Sequence, residues 1–311
     1  MSLVEPSTPL PLEDRSAPAV VETPFQRFVS AYLENSIAVG ALGLLCLIVI
    51  LALSAPWLVP QNPYDLAQID ILDSRLVPGT PSSTGTFTHW LGTDGAGRDL
   101  LSAIIYGLRI SLFVGVASGV IAMAAGSAIG LVATYAGGRI ETLVMRIVDL
   151  QLSFPAILVA LMLIAVLGKG VDKIVIALVI VQWAYYARTV RGSALVENRK
   201  EYVAAARCLG LSSARIVFRH ILPNCLPPII VVATVQTAHA IALEATLSFL
   251  GVGLPQTEPS LGVLISNGFE YMLSGNYWIS FFPGIALLLT IVSINLVGDH
   301  LRDVLNPRLS R

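Results

Sequence analysis

Glu201-Tyr-Val-Ala-Ala-Ala-Arg-Cys-Leu-Gly-Leu-Ser-Ser-Ala-Arg-Ile-Val-Phe-Arg-His-Ile-Leu-Pro-Asn224 is a basic, polar island between two long apolar stretches. Its residues spell out two short helices. Tyr202–Leu209 is a good helix former, and Ala204, Ala205 and Ala206 give it a small, close-approach face. Gly210 suits the left-handed conformation that ends a helix. Ser212 or Ser213 can cap the next helix, which is expected to run to Leu222 and stop at Pro223. Glu201, Tyr202, Arg207, Leu211, Arg215 and Arg219 complete the module. A plain connector between two helices needs only about 2–8 residues. This loop, from about residue 196 to 224, is far longer and strongly patterned. A chain of this kind has little reason to build such a module on an aqueous face unless another macromolecule docks there.

What flanks the island reads as membrane. Of 311 residues, 55% are hydrophobic and only 13% charged, and the mean hydropathy is +0.76. A soluble domain carries about 25% charged residues, and the deficit falls in repeated apolar runs long enough to cross a bilayer. Six spans emerge: Ser36–Val59, about Arg109–Ala136, about Ile140–Leu167 with a kink at Phe154-Pro155, Val171 to near Ala187, about Leu226–Leu250, and about Phe281–Leu301. The fourth is expected to continue as a helix into water, carrying Arg188, Arg191 and Arg199. The chain thus divides into a tail (1–35), a first span (36–60), a polar segment (61–107), a body with five spans (108–303) and a second tail (304–311). Residues 1–24, rich in Pro, Glu and Ser without a short apolar core, read as a disordered cytoplasmic tail rather than a cleavable leader. Pro24–Asn35 reads equally well as an amphipathic surface helix or as a simple lead-in.

Charge sets the expected orientation. Residues 188–219 hold seven basic and two acidic side chains, and the end of the chain adds Arg302, Arg308 and Arg311. Residues 251–280 hold no Lys or Arg, while Lys169 and Lys173 are a mild counter-signal. The positive-inside rule then places both termini and the basic loop in the cytoplasm.

Inside the spans, Gly115 with Gly119 and Gly126 with Gly130 recur at a spacing that lets helix backbones approach closely. Glu244 sits well within the fifth span, where a carboxylate faces a cavity or a partner. It reads either as a group lining a pathway or as a hydrogen-bonded tie between two helices. His239 reads as a core histidine, with a place on the pathway as the functional alternative. Asp149 is expected to pair with Arg146 or with a basic residue of the loop. Asp299, His300, Arg302 and Asp303 either brace the loop or form a solvated helix end. Asp94 and Asp99, flanking a Gly-Ala-Gly turn with Arg98, suit the capping of the second span. Cys46, Cys208 and Cys225 show no metal or disulfide spacing, and those near apolar segments read as small buried residues. There is no basic face for nucleic acid outside the loop, no G-x-x-x-x-G-K-[ST] phosphate loop and no H-E-x-x-H.

The island is similar to the EAA loop of ABC importer permeases, whose pattern is Glu-Ala-Ala, three residues, Gly, then Leu-Pro downstream. Ala205-Ala206, Gly210 and Leu222-Pro223 match, whereas Ala204 stands at the family's Glu and Glu201 lies three residues early. Further stretches resemble the C-type subunit of dipeptide, oligopeptide and nickel permeases: Leu91-Gly-Thr-Asp-Gly-Ala-Gly-Arg-Asp-Leu-Leu-Ser102 with Tyr106-Gly-Leu-Arg-Ile-Ser-Leu112, then Ala245-Thr-Leu-Ser-Phe-Leu-Gly-Val-Gly253, and Gly298-Asp-His-Leu-Arg-Asp-Val-Leu-Asn-Pro-Arg308. The resemblance runs from about Ser36 to the end of the chain.

It implies an all-α polytopic membrane protein of six transmembrane helices, like the type I ABC importer permeases, with cytoplasmic coupling helices between spans four and five. It implies a non-catalytic subunit in a bacterial inner membrane that forms half of a pathway for di- or oligopeptides. The implied partners are a second permease of related fold, two ATP-binding subunits that hydrolyse ATP with Mg, an extracytoplasmic substrate-binding protein and membrane lipid. The polar segment 61–107 would then cap the mouth of the pathway. The rival is a secondary transporter or channel driven by an ion gradient, which calls for several intramembrane acids, where this chain has Glu244 nearly alone.

Overall fold

A computed structural model of the chain describes residues 23–258 and 260–305. Residues 1–22 of the first tail and 306–311 of the second, including Arg308 and Arg311, lie outside the described residues.

The described residues fold as a helical bundle with one small polar cap. A capping box between Thr23 and Gln26 starts α1, Pro24–Leu33, so the segment ahead of the first span is a helix. Asn35, whose side chain accepts from the Ile37 and Ala38 amides, starts α2, Ser36–Leu58. The bundle continues with α3, Leu100–Ala136; α4, Gly138–Leu152; α5, Ala156–Leu167; and α6, Val171–Glu197. Then come α7, Glu201–Cys208; α8, Ser213–Ile216; α9, Leu222–Phe249; α10, Leu261–Phe269; and α11, Trp278–Leu305. A π-turn over Val217–Ile221 joins α8 to α9, making one rod over Ser213–Phe249.

Five helical stretches are long and apolar enough to cross a membrane, and the bent pair α4–α5 supplies a sixth crossing if taken as one span. That pair corrects the expected third span. At Phe154-Pro155 the chain makes a 92° break rather than a kink. Pro155 has no amide to continue α4's hydrogen bonds, and its carbonyl instead accepts from the amides of Leu158 and Val159 to start α5. With 12 residues, α5 is about 18 Å long, short of an apolar bilayer core of about 30 Å. The α4 helix exposes Ile140, Leu143, Ile147 and Leu150 along one side and buries Val148.

The second span also starts earlier than expected, at Leu100 instead of Arg109. Asp99 caps it by accepting from the Ser102 amide at 2.8 Å, and Leu100, Ala103, Ile104 and Leu108 pack with Ile48, Ala52, Leu261 and Trp278. The resulting α3, at 37 residues, is about 55 Å long and forms the axis of the bundle against α6 and α9. Its glycines make the close approach possible. A Cβ on Gly130 would meet the Ala187 carbonyl at 2.5 Å, and one on Gly115 would meet Ile241 at 2.5 Å. Gly126 abuts the Trp183 carbonyl, and a Cβ on Gly119 would lie 3.1 Å from Thr237 Oγ1.

Residues 61–99 make the cap. Two short strands, Thr80–Pro81 and Thr88–His89, pair antiparallel. His89 is wholly buried between two carboxylates, its Nδ1 3.0 Å from Asp99 Oδ1 and its Nε2 3.4 Å from Asp73 Oδ2. Burial alone would push Asp73 up, but the Ser83 amide and the Ser82 and His89 side chains outweigh it and hold its carboxyl below the usual range. Asp94 pairs with Arg98 at 2.7 Å and accepts the amides of Ala96 and Arg98.

Other expectations are met differently. Asp149 pairs with Arg188 of the basic loop, as anticipated. His300 meets the Tyr32 carbonyl of α1, its Nε2 at 3.1 Å. Of the cysteines only Cys225 is buried; Cys46 and Cys208 are exposed, because α2 contributes one thin buried stripe and α7 has only two buried positions.

Candidate functional site

The module between α6 and α9 is built from the end of α6. Glu197 closes that helix, largely buried, and its carboxylate gathers the start of α7: Lys200 Nζ lies 2.6 Å from Oε1, and the Tyr202 hydroxyl donates to Oε2 at 2.6 Å. Burial, and then the bond to Glu197, pushes the Tyr202 phenol up to about 12. Asn224, on the first turn of α9, donates to the Tyr202 hydroxyl at 3.3 Å and to the His220 carbonyl at 2.7 Å. Arg207 reaches back to Asn198. Six side chains, Glu197, Asn198, Lys200, Tyr202, Arg207 and Asn224, thus tie α6, α7 and α9 at one corner.

Two residues bury α7. Val203 and Ala206, one turn apart, pack with Tyr186, Val190 and Ala194 of α6 and with Ile216, Val217, Ile221, Cys225 and Ile229 of the rod. Burial of Val203 stabilises this seat by about 1.5–3 kcal/mol. The opposite face carries Glu201, Ala204, Ala205, Arg207 and Cys208, all exposed, and ends in Leu209, which is 79% exposed.

Gly210 then turns the chain. Its φ of +70° lies in the left-handed region. Its amide bonds the Arg207 carbonyl at 3.0 Å, while the Leu211 amide bonds the Ala206 carbonyl at 3.2 Å. These two bonds are the Schellman closure of a helix, and Leu211 folds against the buried cluster. The next helix differs from expectation. Ser212 stands at its N-cap but makes no side-chain cap bond. The helix does not stop at Pro223 either. Pro223 falls in the first turn of α9, where a missing amide costs little, and the π-turn ahead of it absorbs the register change, the Leu222 amide bonding the Val217 carbonyl.

Most expected coupling residues therefore share one corner. Glu201, Ala204, Ala205, Arg207 and Gly210 are on its open side, Tyr202 is half in, Ala206 and Leu211 face inward, and Arg215 and Arg219 are exposed along the rod. Sequence reasoning missed Glu197, Asn198, Asn224 and Leu209. A leucine just before the glycine was a readable signal, whereas the Tyr202–Asn224 bond requires the fold.

The two expected pathway residues do not meet. His239 is exposed on α9 rather than in the core, five residues from Glu244 and on a different side of the helix. Glu244 is fully buried. It accepts from Ser111 of α3 at 3.0 Å and from Ser248 at 2.8 Å, and also from Ser260, the N-cap of α10, which the sequence reading did not foresee.

Comparison with known proteins places these features in a wider setting. Residues 122–311 match the family described as binding-protein-dependent transport system inner membrane component. Residues 23–78 match the N-terminal TM domain of oligopeptide transport permease C. The chain is 38% identical over 290 residues to the di/tripeptide transport system permease protein DppC of Pseudomonas aeruginosa, covering 93% of this chain and 94% of that protein. It is 38% identical to the dipeptide transport system permease protein DppC of Escherichia coli K12, with 95% and 97% covered. It is 37% identical to the dipeptide permease DppC of Bacillus subtilis, with 89% and 84% covered. Among solved structures, a chain of the MetNI methionine ABC transporter in an inward-facing conformation superposes with a TM-score of 0.55 at 20% identity, over 67% of this chain and 98% of that one.

Proposed function

This chain belongs to the family of binding-protein-dependent transport system inner membrane components, and we propose that it serves as a permease subunit for di- or oligopeptides. It is a multi-pass membrane permease of an ABC importer and is not itself an enzyme; ATPase activity in such transporters belongs to partner subunits. The peptide assignment is carried over from relatives that match almost end to end.

In this reading the chain sits in the bacterial inner membrane with both termini and α7 on the cytoplasmic side. The contrast between seven basic residues in 188–219 and none in 251–280 supports that orientation. A second permease of related fold forms the other half of the pathway, two ATP-binding subunits hold ATP and Mg, and an extracytoplasmic substrate-binding protein delivers the peptide. The exposed face of Ala204, Ala205, Cys208 and Leu209 docks in a cleft of one ATPase.

The observation that carries this reading is the fusion of α7 to two spans at once. Val203, Ala206 and Leu211 join one cluster with α6 and the rod, and Tyr202 ties the same three pieces by donating to Glu197 of α6 and accepting from Asn224 of α9. A displacement of α7 by a closing ATPase must therefore move α6 and the rod together. Two packed arrangements biased by nucleotide then open the pathway alternately to each side. Ala204, where the family pattern has Glu, leaves docking here to shape and to Glu201 and Arg207.

The test is purification of the chain, tagged at its N-terminus, in mild detergent from cells that use it. An ATPase and a second permease at comparable abundance, with ATP-dependent uptake of a labelled dipeptide, are the expected result. A chain that is active yet purifies alone would overturn the reading in favour of a gradient-driven transporter.

A further inference from the structure

Along the seam between α6 and α9 a polar layer divides two apolar clusters. On one side of it Leu178 and Val181 of α6 pack with Ala240, Leu243 and Leu247 of α9. On the other, Tyr186 and Val190 pack with Cys225 and Ile229. Gln182 stands one turn from both Leu178 and Tyr186, and Gln236 stands one turn before Ala240 and two after Ile229. Both amides therefore fall at the boundary, and they meet there. Gln182 Nε2 donates to the Gln236 carbonyl at 3.0 Å, and both side chains are buried. The layer reaches α3 as well, where the place of a Cβ on Gly119 is 3.1 Å from Thr237 Oγ1 and 3.9 Å from the Tyr186 hydroxyl.

The hydrogen bonding of this layer is incomplete. Among the described residues, Gln182 Oε1, Gln236 Nε2 and the Tyr186 hydroxyl are buried without a partner. Atoms of this kind lower stability in a low-dielectric interior. Apolar side chains of equal length would fill the same space without that penalty, so stability does not account for two glutamines here. Register does. The flanking clusters are aliphatic side chains at three- and four-residue spacing, and a slide of one turn sets similar shapes against one another. The same slide carries each amide into an apolar cluster and breaks the bond between them.

We propose that Gln182 and Gln236 are positioning residues that fix the register of α6 against α9, a buried polar layer kept for specificity at a cost in stability. Its bearing on transport rests on the coupling reading above: a push on α7 moves α6 and the rod together only while their seam does not slide. The register itself rests on the seam alone.

The experiment combines Gln182→Met with Gln236→Met, which removes the amides and keeps their length. Spin labels at Ile176 and Val235, both exposed, report the register by double electron–electron resonance. They are placed in the assembled transporter, with its native cysteines replaced and without nucleotide or peptide. One distance is expected in the parent. The double variant is expected to add a second, shifted by up to about 5 Å, one helical turn, with a thermal midpoint at or above the parent's. If the double variant does not assemble, Gln182→Met alone carries the same test. Leu178→Met, which alters the neighbouring cluster without changing its polarity, should keep the single distance. A single unchanged distance in the glutamine variants would overturn the proposal and leave the register to apolar packing and the docking corner. A lowered midpoint with the register intact would overturn it too, by making the amides ordinary stabilising ties. Because neither ATP nor peptide enters the measurement, its failure leaves the permease reading standing, and a failure of dipeptide uptake leaves the register result standing.

Discussion

Tyr202 donates its phenolic hydrogen to Glu197 Oε2 over 2.6 Å, joining the first turn of α7 to the last residue of α6. A hydrogen bond to a buried carboxylate contributes about 1.5–3 kcal/mol. Its placement makes it a transmission link, because α7 is the piece that the ATPase would move. Tyr202→Phe keeps the ring and removes the bond. Transport in reconstituted vesicles is expected to fall several-fold while ligand-stimulated ATP hydrolysis falls less. Equal loss of both would mean that the bond supports assembly rather than coupling.

Gly210 tests the elbow itself. A Cβ there meets nothing within 4 Å, so any cost of substitution comes from the backbone at φ +70° and not from crowding. A non-glycine residue pays about 1–2 kcal/mol in that region, asparagine least and β-branched residues most. Coupling of hydrolysis to transport should therefore decline in the order Gly, Asn, Ala, Val. Gly210→Val with unchanged transport and hydrolysis would sink the elbow as a coupling element.

The glycines of α3 act through space instead. Gly126 lies against the Trp183 carbonyl and the Tyr186 side chain, so Gly126→Val forces α3 away from α6. Overpacking costs about 1–3 kcal/mol where side chains yield, and a backbone carbonyl yields less. Gly43 in α2 has open space around it. Folded yield by fluorescence-detected chromatography should drop sharply for Gly126→Val and stay near wild type for Gly43→Val. Similar yields would show that the α3–α6 approach is loose.

Acid should loosen the cap through Asp73. Its folded carboxyl is held below the unfolded value of 3.8, so it contributes stability that is fully present above that value. The contribution is lost as pH falls through the lower, folded one. Hydrogen exchange of residues 73–99 should accelerate below about pH 4, and Asp73→Asn should remove most of that acid dependence. Exchange that is flat with pH in the native chain would place the cap's stability elsewhere.

Much of this arrangement was legible along the chain, and the misses share a cause. Uninterrupted apolarity located α2 from Ser36, and Gly210 marked the end of α7, because both are local properties. The glycine pairs of α3 told of close packing because small size at helical spacing has few other uses. The start of α3 was placed nine residues late because Arg109 looked like a boundary, although Asp99, whose cap sets that start, was itself read as suited to capping this span. Pro223 looked like a stop, but a π-turn carries the helix through it, and that depends on tertiary support from Ile216, Val217 and Ile221. Tyr202 with Asn224 and Glu244 with Ser260 are distant pairings, which no local pattern announces.

Glu244 separates two roles that the sequence left open. Fully buried and accepting from Ser111, Ser248 and Ser260, it ties α3, α9 and the start of α10 at one point. A tie of this kind predicts that Glu244→Ala destabilises the subunit by about 2–4 kcal/mol, since it opens a cavity and leaves three buried hydroxyls without their acceptor. Glu244→Gln, which keeps the shape and one carbonyl oxygen, should recover most of that loss. A pathway group predicts the opposite pattern: normal folding in both variants, with transport altered according to the charge of the peptide carried. Thermal unfolding of the purified complex, measured beside uptake of acidic, neutral and basic dipeptides, distinguishes the two. The tie is expected, with stability falling for Ala and the uptake ratios unchanged for Gln. A charge-dependent change in uptake by a fully stable Glu244→Gln would move this residue into the translocation pathway.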